Sequence, residues 1–163
     1  MSEALWSSSV LAGIRDRLSS RLADILVLIA ADGGATVTPP VSFEVRENLD
    51  DVSALPFVAV QMNGDLESEF LMPDSFRLHI PVQITSVVAP EANPTDPDLD
   101  ARTYNRAVVN CLTENATVDD ITGLFFVGDI QTRIEAAGEG TRKWRRLSIV
   151  EATLYVATTR ERT

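Results

Sequence analysis

One spacing limits this chain more than any other feature. Trp6, Val10, Ile14, Leu18, Leu22, Ile25 and Ile29 recur at steps of 4, 4, 4, 4, 3 and 4. Those steps place all seven on one stripe of a helix with 3.6 residues per turn, so residues 3–31 are expected to be helical. Arg15, Asp16, Arg17, Arg21 and Asp24 mostly cover the other sides. Asp32-Gly33-Gly34 follows, and glycine readily takes the left-handed conformation that closes a helix. The stripe reads as core. Trp6, at its outer end, is a candidate contact with a neighbouring subunit.

Beyond residue 40 the period changes to 2. "VSFEVRE" (41–47) alternates apolar and polar residues, the mark of a half-buried strand. "PFVAVQM" (56–62) is more continuously apolar. Asn63-Gly64-Asp65 supplies turn chemistry, and "LESEFL" (66–71) is a weaker strand. "FRLHIPVQITSVV" (76–88) is the clearest: Phe76, Leu78, Ile80, Val82 and Ile84 share one side. Pro81 lacks a backbone donor, so this strand is expected at a sheet edge or bulged there.

"APEANPTDPDLD" then brings three prolines and four acids, a solvated loop over 89–98. Asp98 or Asp100 can cap the helix that follows, 99–115. Its apolar set is Leu99, Tyr104, Ala107, Val108, Cys111 and Leu112. A closing hairpin spans 123–158, with its turn at Ala137-Gly138-Glu139-Gly140. Leu147 and Ile149 share a phase, and Ala152, Leu154 and Val156 share the other. One extra residue would do that, so a β-bulge is expected near Val150-Glu151. Residues 158–163 read as a frayed tail. With no repeat and no linker, 1–163 reads as a single α+β domain. Its helices lie on one face of a mostly antiparallel sheet.

Chemistry is sparse. His79 is the single histidine, so histidine metal clusters are excluded, and it falls on the polar side of its strand. Cys111 is the single cysteine, so no intrachain disulfide can form, which fits a reducing compartment. It lies on an apolar helix face and reads as a core thiol. Asp50-Asp51 and Asp119-Asp120 fit turn or cap roles better than acid–base pairs. No phosphate-binding, dinucleotide-binding or nucleophile-elbow string occurs. The N-terminus has no secretory pattern, and Asn115-Ala116-Thr117 matters only in a secreted protein. "ILVLIAA" is far shorter than the roughly 20 apolar residues of a membrane span. A non-enzymatic, soluble protein without cofactor or metal is expected.

Charge is the remaining signal. Arg142, Lys143, Arg145 and Arg146 put four positive charges into five positions around Trp144, and Lys143 is the only lysine. Removing that +4 from the net −10 leaves −14 on the rest of the chain. Such a background repels polyanions, so a nucleic-acid module with Trp144 stacking on bases takes second place. Trp and Arg are the residue types enriched at binding hot spots. An acidic protein surface therefore suits this cluster, the chain's own acidic loop included.

The element order resembles the tail terminator proteins of tailed bacteriophages. A long amphipathic first helix, antiparallel strands, a second helix after a long loop and a closing hairpin all match. "RRLSIVEATLYVATT" looks like the final strand of such minor tail proteins. The likeness spans about the whole chain and rests on pattern, with no signature motif. It implies a virion protein, made in the host cytoplasm, that forms a homo-oligomeric, hexameric ring on the tail tube protein. It implies head–tail joining through the head connector or stopper protein, with DNA passing the lumen without specific binding and no membrane partner. Other connector and neck completion proteins share the pattern. A ring needs heterologous contacts, and residues 142–146 with Trp6 are the candidate interface.

Overall fold

The computed structural model describes residues 3–46, 56–65, 67–72, 75–88, 98–114, 124–137 and 145–159. Helix α1 runs Glu3–Ala31, as its spacing predicts. Val10, Ile14, Leu18, Leu22, Ile25 and Ile29 are buried, joined by Leu11 and Leu26 on the flanks of the stripe. Each large aliphatic side chain taken from water contributes about 1.5–3 kcal/mol, so the stripe anchors the helix layer. Val27 and Leu28 fall off it and stay exposed. The helix ends in a six-to-one closure: Gly34 N–H donates to Ile29 O and Gly33 N–H to Ala30 O. Gly33 has φ +86°, and a Cβ on Gly34 would meet Ile29 at 2.6 Å. Both glycines are required by this turn.

Strands β1 (Ser42–Val45), β2 (Phe57–Met62), β3 (Glu67–Met72) and β4 (Ser75–Val88) follow, then α2 (Leu99–Thr113), β5 (Leu124–Ala137) and β6 (Arg145–Thr159). They form a sheet in the order β1-β2-β4-β6-β5, with β3 also on β4. β1 and β2 are parallel; every other pair is antiparallel. The fold is α+β, with a mostly antiparallel sheet. The main core holds the α1 stripe and Tyr104, Ala107, Val108, Cys111 and Leu112 of α2. Against them pack alternate residues of β2, β4 and β6, including Val58, Ile80, Ile84 and Leu154. Tyr104 donates its hydroxyl proton to Thr38 O, tying the segment after α1 to α2.

Two expectations about β-strands change. β4 is central rather than at an edge: β6 pairs its full length, and β2 and β3 share its other side. Pro81 fits because it sits where β2 hands over to β3. Pro81 O accepts from Asn63 N–H. A residue's N and O point to the same side of a strand, so the missing donor faces the interruption between β2 and β3. Four residues there (63–66) oppose two on β4, which is the irregularity the proline signalled.

β6 carries no bulge at Val150-Glu151. Its register with β4 is unbroken from Arg146 to Thr159. The extra residue lies in β5, where Asp129 and Ile130 together oppose Ala152. Asp129 takes φ 52° to make it. The apparent phase slip in β6 arises because both sheet faces are apolar at one end. Ser148, Val150, Ala152, Leu154 and Val156 face the helices, while Leu147 packs on a second cluster of Phe57, Ala59 and Val87 behind the sheet.

Candidate functional site

The basic cluster is only partly described. Arg142, Lys143 and Trp144 lie outside the described residues, as do the loop 89–97, Asp50-Asp51, Asp119-Asp120 and the glycosylation-like triplet. Arg145 begins β6, and Trp6 lies in the first turns of α1; the side chains of both are outside the described set. Arg146 is placed, with Nε 2.9 Å from Asp98 Oδ1. Asp98 stands at the N-cap of α2 but makes no side-chain cap bond. Its carboxylate turns to the arginine instead. The expected pairing of this cluster with the acidic loop therefore exists within one chain for Arg146.

A second region is a groove of about 660 Å³ between the C-terminal turns of α1 and α2. Ile25, Leu28 and Ile29 line it, with Asp32, Arg106 and Glu114 at its polar side. Its charges answer one another. Glu114 accepts two bonds from Arg21 Nε at 3.0 and 2.9 Å and also bonds Arg21 Nη2 and Arg17 Nη2. The Arg21 hydrogen bonds hold the Glu114 carboxyl below its ordinary range. Arg106 lies 3.9 Å from Asp32. Cys111, a turn from Glu114, is fully buried, and burial pushes its thiol up to about 11. A thiol held protonated is a poor nucleophile, in keeping with a core role.

The third region is the sheet face without helices. Tyr155 donates to Asp129 Oδ2 at 2.5 Å, and that bond raises its phenol above the ordinary value. The His79 ring meets Tyr155 edge to face, 4.8 Å between centroids, with Nδ1 4.0 Å from Glu67. Arg133 bridges Glu135 at 2.9 Å and bonds Glu151 as well. The bulge aims Asp129 across the strand, which is why alternation alone missed it. Gly128-Asp129 inside a strand pattern is the available signal.

Most of the charged groups in these regions meet an opposite charge within the chain. Among the described residues no cluster of three or more His, Cys, Asp or Glu side chains could hold a metal ion, and no helix is long and apolar enough to cross a membrane. No family model matches this chain, and no curated protein matches it.

Proposed function

We propose that this chain is a structural assembly subunit of a phage virion, a tail terminator that rings the tail tube and presents the head-joining surface. The observation that carries the reading is the state of the polar groups. Arg146 with Asp98, Arg21 with Glu114, Arg133 with Glu151 and Tyr155 with Asp129 form closed pairs on surfaces. Turnover needs polar groups converging on a substrate, whereas mutual pairing leaves shape and surface charge as the working properties. The element order supports the same reading. A head–tail connector or neck completion protein is the alternative station. The chain would act by heterologous contacts with copies of itself, with the tube protein and with the connector, without cofactor.

Light scattering after size-exclusion chromatography, with and without purified tail tubes, and electron micrographs of both samples test this. Rings, free or on tube ends, are expected. A monomer that ignores tubes at high concentration overturns it. The cluster is tested with Arg142, Lys143 and Arg145 changed to Glu, sparing Arg146. Loss of assembly is expected from a variant that circular dichroism shows to be folded. Arg146 is excluded because a glutamate there would face Asp98 and disturb the start of α2.

A further inference from the structure

The two ends of the sheet carry related charge patterns on the helix-free face. On β5, Arg133 and Glu135 flank Ile134. On β1 and its exit, Glu44 and Arg46 flank Val45. The faces follow from register: Arg133 stands opposite Ile149 and Glu44 opposite Ala59, both behind the sheet, and Arg46 lies 5.7 Å over the Phe57 ring there. Among the described strands β5 pairs with β6 alone, so its outer N–H and C=O groups meet no strand. Gln131, Thr132, Arg133, Glu135 and Ala136 are exposed with the whole chain present. An unpaired edge is a template for another strand unless something blocks it.

Of the devices that blunt an edge, the described residues of β5 could supply a bulge or a charge. The bulge ends at Ile130, and the β5–β6 register is unbroken from Gln131 to Ala137. That leaves seven straight residues. A guarding charge works by repelling its own kind in a second copy, but Arg133 and Glu135 do the opposite. In an antiparallel pair centred on Ile134, each Arg133 faces the other copy's Glu135. Both cross-strand pairs are attractive, and Thr132 faces Ala136. Continuing the sheet from β5 of one copy to β1 of the next also gives an antiparallel pair, because β5 runs opposite to β1 in the sheet order. In any such register at most one of the two charge pairs matches. β1 can match itself about Val45, but it has four residues.

We infer that residues 131–137 of β5 pair with the same residues of a second copy, about a twofold axis through Ile134. The contact is isologous and joins two sheets into one. Ile134 meets its copy on the helix side, while the Arg133–Glu135 pairs lie on the helix-free side. A seven-residue ladder is a small contact, so the association is weak and reversible. It stands on the sheet edge alone and does not depend on the tail reading, whose ring contacts are heterologous.

Sedimentation velocity of the full chain, from low to several hundred micromolar, tests it with two variants. The wild type is expected to show a monomer–dimer equilibrium. Glu135→Arg sets Arg against Arg133 at both pairs and should weaken dimerisation about tenfold or more. Ile134→Cys places two thiols on the axis, where paired Cα atoms lie about 4.5–5.5 Å apart, within disulfide reach. Mild oxidation should give a covalent dimer absent from the oxidised wild type, because Cys111 is buried. Circular dichroism confirms that each variant is folded. A wild type without concentration dependence, a folded Glu135→Arg protein that dimerises equally well, or no cross-link in folded Ile134→Cys overturns the inference. A ring unaffected by Glu135→Arg, with no cross-link, removes the edge contact and leaves the tail reading. A cross-linked dimer that ignores tail tubes does the reverse.

Discussion

Thr153 and Leu154 are neighbours in β6 and live in different chemistry. Leu154 points into the helix-covered core and is fully buried; Thr153 stands half-buried on the other face, beside β5. The covered face holds a continuous apolar layer against α1 and α2. The other face is apolar at one end, around Phe57, Ala59, Val87 and Leu147, and polar toward His79, Glu151 and Tyr155. The covered side therefore carries most of the apolar burial, while the other face buries only a small cluster at one end and is polar beyond it. One period-2 strand serves both because successive side chains point opposite ways.

The sharpest way to break this comparison is to truncate both neighbours. Leu154→Ala should cost about 2–5 kcal/mol in denaturant unfolding, from lost burial and the cavity left behind. Thr153→Ala should stay within about 0.5 kcal/mol. Similar values for the two would remove the distinction.

A polar group in the covered layer comes next. Asn105 accepts from Ser148 Oγ and donates to Arg133 O at 3.3 Å, beneath α2. Asn105→Ala strands the buried Ser148 hydroxyl, so about 1–3 kcal/mol should be lost in urea melts. No loss would place that pair in solvent rather than in the core.

Ser86 reverses the sign. It is fully buried on the same face, and its Oγ finds no hydrogen-bond partner among the described residues. Ser86→Ala should raise stability by about 1 kcal/mol, since the buried hydroxyl is desolvated without compensation. A lower midpoint in thermal unfolding would contradict this.

The two tyrosines give the finest test, because the same group sits once on each side. Burial, and next the charge of Asp100, hold Tyr104 far above the ordinary phenol range; the bond to Asp129 raises Tyr155. Both folded values exceed the unfolded one, about 10, so the stability they contribute is complete below that pH and declines above it. Absorbance at the tyrosinate band should be less than half developed at the pH where a free phenol is half ionised. Tyr155 should then titrate first and Tyr104 only as the fold is lost. Tyr155→Phe should delete the early step alone. A half-complete signal at the ordinary phenol pKa would mean that neither environment holds.

Much of this architecture is legible in the order of residues. Helix periodicity located α1 and its buried stripe, and alternation located β4 and β6, because each pattern reports which side of an element leaves water. The buried thiol of Cys111 and the polar-face position of His79 follow from place within those patterns, whereas the half-burial of His79 against Tyr155 does not. Tertiary pairing decided the rest. Pro81 signals a missing donor, yet whether that donor faces solvent or a break in a neighbouring strand depends on where β2 ends. The slip between Ile149 and Ala152 signals an offset, yet Leu147 and Ile149 answer to a second apolar cluster while the extra residue belongs to β5. Asp98 reads as a cap, and Arg146, 48 positions away, takes its carboxylate. Local spacing records a side chain's own direction; only the folded sheet sets what stands opposite, because cross-strand neighbours are chosen by register rather than by distance along the chain.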